Sequence, residues 1–266
     1  LDIGHRLLMC CCLLGLSISI IAPIMKETNS AGAQPNQSLI DGLAVLQALA
    51  LSPDPVGGRE LARRLGFEPT RVNRLLKTLA YLNIARQTAD RKYSPGPGMT
   101  VLAAQSLFAS QFIQNSLPAL GELRRFDLTV AMGVLWRDNV SYLYHAKPGM
   151  SDSDALGRIG LYAATEGGIG MALLADLDDD SVASIYEGRD IPGFPGGVST
   201  LLAALDEIRA QGFVRFGVGE KAAGHTIAIC VGNPTFGAIG LSGHIPTKSS
   251  GQIVNALEQT AARIES

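Results

Sequence analysis

The stretch "RELARRLGFEPTRVNRLLKTL", Arg59 to Leu79, decides the fold of the first third of the chain. Its apolar residues form two short helical stripes: Leu61 and Leu65, then Val72, Leu75, Leu76 and Leu79. Gly66 separates them, and glycine ends helices in the left-handed conformation without a Cβ penalty. Pro69 suits the first turn of the second helix, where its missing N–H would be unpaired anyway. Two short helices around a glycine-containing turn predict a helix-turn-helix. The second helix must bury one face against the first to fix its angle. Its other face carries Thr70, Arg71, Asn73, Arg74 and Lys77, hydrogen-bond donors of the kind that reach base edges and phosphate oxygens.

The flanks extend the pattern. Upstream, "SLIDGLAVLQALALS" predicts a helix with Ser38 as N-cap and a buried stripe of Leu39, Ile40, Leu43, Leu46 and Leu49. "SPDPVGG" breaks it. Downstream, "IARQTADRKYSPG" reads as a β-hairpin with Ala89 and Asp90 at its turn and Tyr93 facing inward. The whole is a winged helix-turn-helix plan over residues 36–98. Arg71, Asn73 and Arg74 are candidates for base or phosphate contacts, and Thr70 and Lys77 for holding the nucleic-acid backbone. Arg59 on the preceding helix and Arg86, Arg91 and Lys92 on the hairpin are candidates for flanking phosphates. The competing reading of each is a solvated helix face, and helix-turn-helix folds also serve protein–protein contacts. Arg74 has the further alternative of a helix–helix seam.

Composition divides along the chain. Residues 36–98 hold 9 Lys/Arg against 5 Asp/Glu, and residues 99–266 hold 11 against 17. A basic first unit and an acidic second one fit a chain in which only the first meets a polyanion. Of the 266 residues 47% are hydrophobic, enough for real cores and too many for general disorder. Cys10, Cys11 and Cys12 cluster, leaving Cys230 alone in the globular part, without CxxC or Cys/His zinc spacing. A reducing cytoplasm is the expectation. Leu7 to Ile24 runs about 18 residues without charge, the lower edge for a membrane span. The favoured reading is that translation begins at Met25; a membrane anchor and an export signal are the alternatives. Up to residue 35 the chain reads as leader and disordered tail.

Beyond residue 98 the period changes. Residues 99–117, "MTVLAAQSLFASQFIQNSL", predict an apolar linker helix able to pair with a partner chain. "LTVAMGVLWRDNVSYLYHA" predicts a hairpin turning at Arg137–Asn139, and "HTIAICVGNPTFGAIGLSGHI" a second around Asn233–Pro234. "GIGMALLADLDDDSVASIY", "STLLAALDEIRAQGF" (capped at Ser199 or Thr200) and "SSGQIVNALEQTAARIES" predict helices. Helices mixed with hairpin-connected strands give an α+β domain over residues 118–266.

Residues 36–98, with "GRELARRLGFEPTRVNRLLKTLAYLNIARQTADRKYSPGPGM" at their centre, resemble the DNA-binding domain of the IclR-type family of bacterial transcription regulators. "LYAATEGGIGMALLADL", "LDEIRAQGFV", "GEKAAGHTIAICV" and "FGAIGLSG" are similar to that family's effector-binding domain. The resemblance implies a multi-domain chain: an α-rich winged helix-turn-helix, then an α+β GAF-like effector-binding domain. It also implies a homodimer or homotetramer, a palindromic double-stranded DNA operator and a small organic effector, carboxylic or aromatic. Carried over by position, the effector candidates are Tyr162, Gly168, Ile169, Glu220, Thr226, Cys230, Gly240 and Ser242. Gly168 and Ile169 would offer backbone N–H groups, Thr226 and Ser242 hydroxyls, and Tyr162 and Ile169 an apolar wall. Cys230 has the alternative of a core thiol and Ser242 of a turn cap. Glu166 beside the loop favours a neutral or hydroxylated ligand. Two departures stand out: Arg71 where the family commonly has Thr, and Met171 where it often has Lys or Arg.

The rival classes are weaker. "TEGGIG" lacks GxGxxG and a P-loop lysine, and no GxSxG occurs, so no enzyme and no cofactor is expected. His145, His225 and His244 are scattered singles suited to surface or core roles rather than to a metal. A membrane-tethered ligand sensor rests wholly on the leader.

Overall fold

The computed structural model describes residues 35–110, 112–157, 160–218 and 224–265. The apolar leader and its competing readings lie outside them. Among the described residues no helix is long and apolar enough to cross a membrane. They form two compact units that divide between Gln105 and Ser106.

The first unit is three helices and a hairpin. Helix α1 (Gln37–Ala50) is capped by Asn36, whose side-chain oxygen accepts from Leu39 N at 3.1 Å, two residues before the predicted Ser38. Its buried face is Asp41, Ala44, Val45, Ala48 and Leu49, while Leu39 and Leu43 are exposed. The predicted leucine stripe is therefore turned, and it brings a carboxylate into the core in place of two leucines. Helix α2 (Gly58–Leu65) buries Leu61 and Leu65 and ends at Gly66 in the left-handed conformation, φ 66°. Helix α3 (Pro69–Tyr81) starts on Pro69 and buries Val72 and Leu76 fully, Leu75 and Leu79 partly. Strands β1 (Ala85–Gln87) and β2 (Tyr93–Pro95) pair antiparallel, with Arg86 opposite Ser94. The Tyr93 ring is buried against the helices, and Tyr93 exchanges backbone bonds of 2.8 Å with Val56. That bridge fastens the wing to the loop ahead of α2.

Helix α4 (Pro97–Ser110) and helix α5 (Phe112–Leu123) occupy the predicted linker and run past it. Continuity at residue 111 lies outside the described residues.

The second unit is built on one antiparallel sheet in the order β5-β4-β3-β8-β7-β6. The predicted hairpins are β3 (Thr129–Trp136) with β4 (Asn139–Ala146), and β7 (Gly224–Gly232) with β8 (Thr235–Gly243). They join through the β3–β8 pairing, Ala131 opposite Gly240. Edge strands β5 (Leu161–Ala163) and β6 (Val214–Val218) complete it. A short helix, α6 (Asp152–Ala155), follows β4. One sheet face packs on α5 and, at the end of the chain, on a helix Ser250–Glu265, around Leu120, Met132, Tyr144, Ile239 and Leu257. The other face is covered by α7 (Gly168–Ala175), α8 (Asp179–Tyr186) and α9 (Val198–Gln211); the terminal helix is α10. The single helix expected across residues 168–186 is split because Asp178 accepts from Ser181 N at 2.7 Å and starts a new helix. Helix α9 begins from Gly197 without a side-chain cap; Thr200 donates back to the Gly197 carbonyl. Leu120 is fully buried between α5 and the sheet. Leu120→Ala should therefore cost this unit about 2–5 kcal/mol, measurable as a shifted denaturant midpoint with unchanged m-value.

Candidate nucleic-acid interface and ligand site

Helix α3 presents its polar residues where its packing leaves them. Thr70, Asn73, Arg74 and Lys77 are exposed, on the face opposite Val72 and Leu76. Among the described residues no ion pair engages Arg74 or Lys77, so both charges are available to a polyanion. Asn73 leans on α2: a Cβ at Gly58 would come within 2.5 Å of its Oδ1. Arg71 points the other way. Its guanidinium pairs with the buried Asp41 carboxylate of α1 and stands 5.6 Å from the Phe67 ring centre. Thr70, Arg71 and Arg74 line an open cleft of about 520 Å³ with Ser38 and Glu68 at the start of the helix.

Arg59 is exposed at the head of α2 and lines a second cleft with Arg64 and Lys92. Arg63 and Arg64 are engaged by Glu60, whose carboxyl they hold below its ordinary range through hydrogen bonds, Arg64 first. On the wing, Arg86 and Arg91 are exposed. Lys92 lies 3.3 Å from Asp90, which also accepts a hydrogen bond from the Thr88 hydroxyl at 2.5 Å. The Thr88 bond, then Lys92, lowers the Asp90 carboxyl. The wing tip is thus partly neutralised from within, and its cations of widest reach are Arg86 and Arg91.

In the second unit the predicted ligand residues separate into three groups. Gly168, Ile169, Thr226, Gly240 and Ser242 come together. Thr226 sits opposite Ser242 across β7–β8 and donates to its hydroxyl at 3.0 Å. The head of α7 lies over this pair: a Cβ on Gly168 would meet Thr226 Cγ2 at 2.7 Å. Ile169 is buried, and a Cβ on Gly133 or Gly240 would meet its side chain at 3.0 or 3.1 Å. Its side chain fills the dip left by two strand glycines, a core plug more than an open wall. Met171 N makes the first bond of α7 to the Gly167 carbonyl, so the N–H groups of Gly168, Ile169 and Gly170 precede the intrahelical ladder. Such amides and a hydroxyl pair suit an anionic or hydroxylated group.

The Tyr142 hydroxyl borders the head of α7, 3.6 Å from a Cβ placed on Gly167, and Tyr162 is exposed on edge strand β5 opposite Val140. Its ring meets Tyr142 edge-on at 5.3 Å, and Tyr142 meets His145 at 5.6 Å. This aromatic group is not legible in the sequence: Tyr142 and His145, three apart, would fall on opposite faces of a regular strand, but the pairing slips by one residue at Leu143, and only the β4–β5 register brings Tyr162 alongside. Cys230 lies under α7, donating to Ala172 O at 3.2 Å, with the thiol pushed up to about 12 by burial and, less, by Asp176. It is a core thiol. Glu220 lies outside the described residues.

A chemical consequence follows for Cys230. The thiolate is the reactive form, so alkylation at pH 8 should run about three orders of magnitude slower than for a free cysteine. Mass-spectrometric mapping should find its rate rising with pH up to 10 without a plateau; a plateau near pH 9 contradicts the burial. Because the folded value exceeds the unfolded one, the thiol supports the fold fully below about pH 8.5 and loses that contribution as pH rises towards 12.

Comparison with known proteins agrees with this geometry. Residues 38–89 match the IclR helix-turn-helix domain. No curated protein matches the chain in sequence. Among solved structures, an IclR family transcriptional regulator from Brucella abortus is similar at 21% identity and TM-score 0.68, over 91% of this chain and 98% of the other. An IclR homolog from Microbacterium hydrocarbonoxydans, complexed with 4-hydroxybenzoate, is similar at 17% identity and TM-score 0.64, covering 86% and 98%. A regulator from Alicyclobacillus acidocaldarius gives 20% identity and TM-score 0.63, over 87% and 98%. At these identities the likeness establishes the fold, a helix-turn-helix unit followed along the chain by a GAF-like α+β unit. Residues 38–89 thus match the IclR helix-turn-helix domain, and the chain as a whole shares the fold of the solved IclR-family structures.

Proposed function

We propose that the chain is a DNA-binding transcription regulator whose operator affinity is set by a small organic ligand held in the second unit. The observation that carries this reading is the exposed row Thr70, Arg74 and Lys77 on α3, whose opposite face is buried with Leu61 and Leu65 of α2. A rigid rod with an unpaired cationic flank fits the major groove, and the exposed cations Arg59, Arg86 and Arg91 extend the contact to phosphates. The chain acts as a homodimer or homotetramer on a palindromic site. The exposed apolar side chains Val101, Leu102 and Phe108 of α4 support a partner chain there.

The ligand reading rests on the amides at the head of α7 and the Thr226–Ser242 pair. The 4-hydroxybenzoate bound by the Microbacterium hydrocarbonoxydans homolog combines an anionic and a hydroxyl group of this kind. Ligand binding would act by favouring one of two reader spacings, through different affinities for the two states. No step in this account is catalytic, and the protein works as a cytoplasmic binder.

The test is selection of duplexes by the full chain from a random pool, with and without small aromatic acids such as 4-hydroxybenzoate. The reading expects enrichment of a two-fold symmetric sequence with half-sites about one helical turn apart, and a shift in affinity with one of the acids. A pool that stays random overturns the DNA-binding reading. An enriched duplex whose affinity no acid alters overturns the ligand reading.

A further inference from the structure

We infer that Arg71 is a positioning residue that sets the pose of the DNA-reading helix by pairing with Asp41, and that it does not itself read DNA. The inference rests on the regulator reading above and refines which residues of that helix do the reading.

The pair is built for this. Asp41 is fully buried in the middle of α1, and its Oδ1 accepts from Gln37 Nε2 at 2.9 Å. Its other oxygen, Oδ2, forms an ion pair with the Arg71 guanidinium. An ionised carboxylate is tolerated at such depth only with a paired, hydrogen-bonded partner. Arg71 thus serves a need of the core, and Phe67 braces the guanidinium from the turn that joins α2 to α3. Residues advance about 100° per step around a helix. Leu75 follows Arg71 by one turn on the same side, and a Cβ on Gly42 would meet its Cδ2 at 3.8 Å. The neighbours Asp41 and Gly42 therefore face Arg71 and Leu75 along one helix–helix seam. Asn73 lies about 200° and Lys77 about 240° around the helix from Arg71, while Arg74 lies about 60° from it and borders the same open cleft at the start of the helix. The guanidinium fork also fixes direction better than an ammonium would, because it is planar. Rotation of α3 against α1 would break the pair and leave a bare carboxylate in the core. The pair therefore selects one angle for Thr70, Arg74 and Lys77.

The test compares the full chain with Arg71→Ala and with the double variant Asp41→Asn/Arg71→Gln. Each is titrated by fluorescence anisotropy, across a salt series, with a duplex enriched by the parent chain and a scrambled duplex of the same length. Arg71→Ala is expected to lose at least about tenfold on the enriched duplex. Its affinity for the scrambled one should stay within about threefold, with the salt slope unchanged. The double variant removes both charges and leaves no buried ion, so it should fold and bind the enriched duplex within about threefold of the parent. If Arg71→Ala fails to fold, the double variant alone decides. A double variant that binds both duplexes more weakly with a salt slope reduced by about one shows that Arg71 contacts phosphate. A double variant whose reselected site is relaxed at one base pair shows that it reads a base. Either result overturns the assignment. A parent chain that enriches no duplex overturns the regulator reading itself, and this inference with it.

Discussion

Changing Arg74 and Lys77 together to alanine should lower affinity for an enriched duplex by about a hundredfold or more. An arginine bonded to a base edge contributes about 1–3 kcal/mol of discrimination, and a two-fold complex repeats each contact. Lys77, one turn further along the exposed flank, suits a phosphate, and its loss should flatten the slope of log affinity against log salt by about one per contact. Neither side chain supports the fold: both are exposed, and among the described residues neither makes an ion pair. The variant should keep its melting temperature within about 2 °C, in line with other surface changes. Anisotropy in a salt series measures both quantities at once. Parental affinity in the double variant would place the DNA on another face.

The second large effect concerns stability of the second unit. Gly170 sits in the first turn of α7, where a Cβ would stand 2.1 Å from the Ala164 carbonyl oxygen and 2.5 Å from its Cα. These are backbone atoms of the 3-10 turn Ala164–Glu166, which cannot rotate aside. Gly170→Ala gains about 1 kcal/mol of helix propensity and loses more, on the order of 3 kcal/mol, by forcing helix and turn apart. The net should lower the melting point of this unit by several degrees. It should also displace the α7 amides from the Thr226–Ser242 pair, so ligand response should fall with it. Gly121 in α5 is the control. A Cβ there meets no described atom within 4 Å, so Gly121→Ala should be neutral or stabilise by up to about 1 kcal/mol. Calorimetry on both variants decides; equal melting points would mean that the close seating of α7 has no energetic weight.

What could be read from the chain beforehand follows from how local each signal is. Helices α2 and α3 were legible because Leu61, Leu65, Val72 and Leu76 repeat at helical spacing around Gly66 and Pro69, all within twenty residues. Both long hairpins were legible from β-rich runs around Arg137–Asp138 and Asn233–Pro234. Edge strands β5 and β6 were not, being short and recognisable only by the partners they extend. The buried face of α1 is not legible locally, because Leu39 and Leu43 look like core residues and Asp41 does not. The carboxylate is buried by virtue of an arginine thirty positions away, which no local period reports. Ile169 likewise looks like a pocket wall until Gly133 and Gly240, from two other strands, are seen to leave the dip that its side chain fills.

On the proposed function the head of α3 enters a DNA groove, and a cleavage reagent tethered there reports that placement. Thr70→Cys, in a chain with Cys10, Cys11 and Cys12 changed to Ser, carries an iron–EDTA group at the exposed first turn of α3, with half-buried Cys230 slow to label because its thiol is pushed up. The same group at Glu258→Cys, on the exposed side of α10, is the comparison. Cleavage of both strands within a few base pairs of each half-site centre, from position 70 and not from position 258, is the expected result. Cleavage from position 258 alone, or from neither on a duplex that the chain binds, would contradict it.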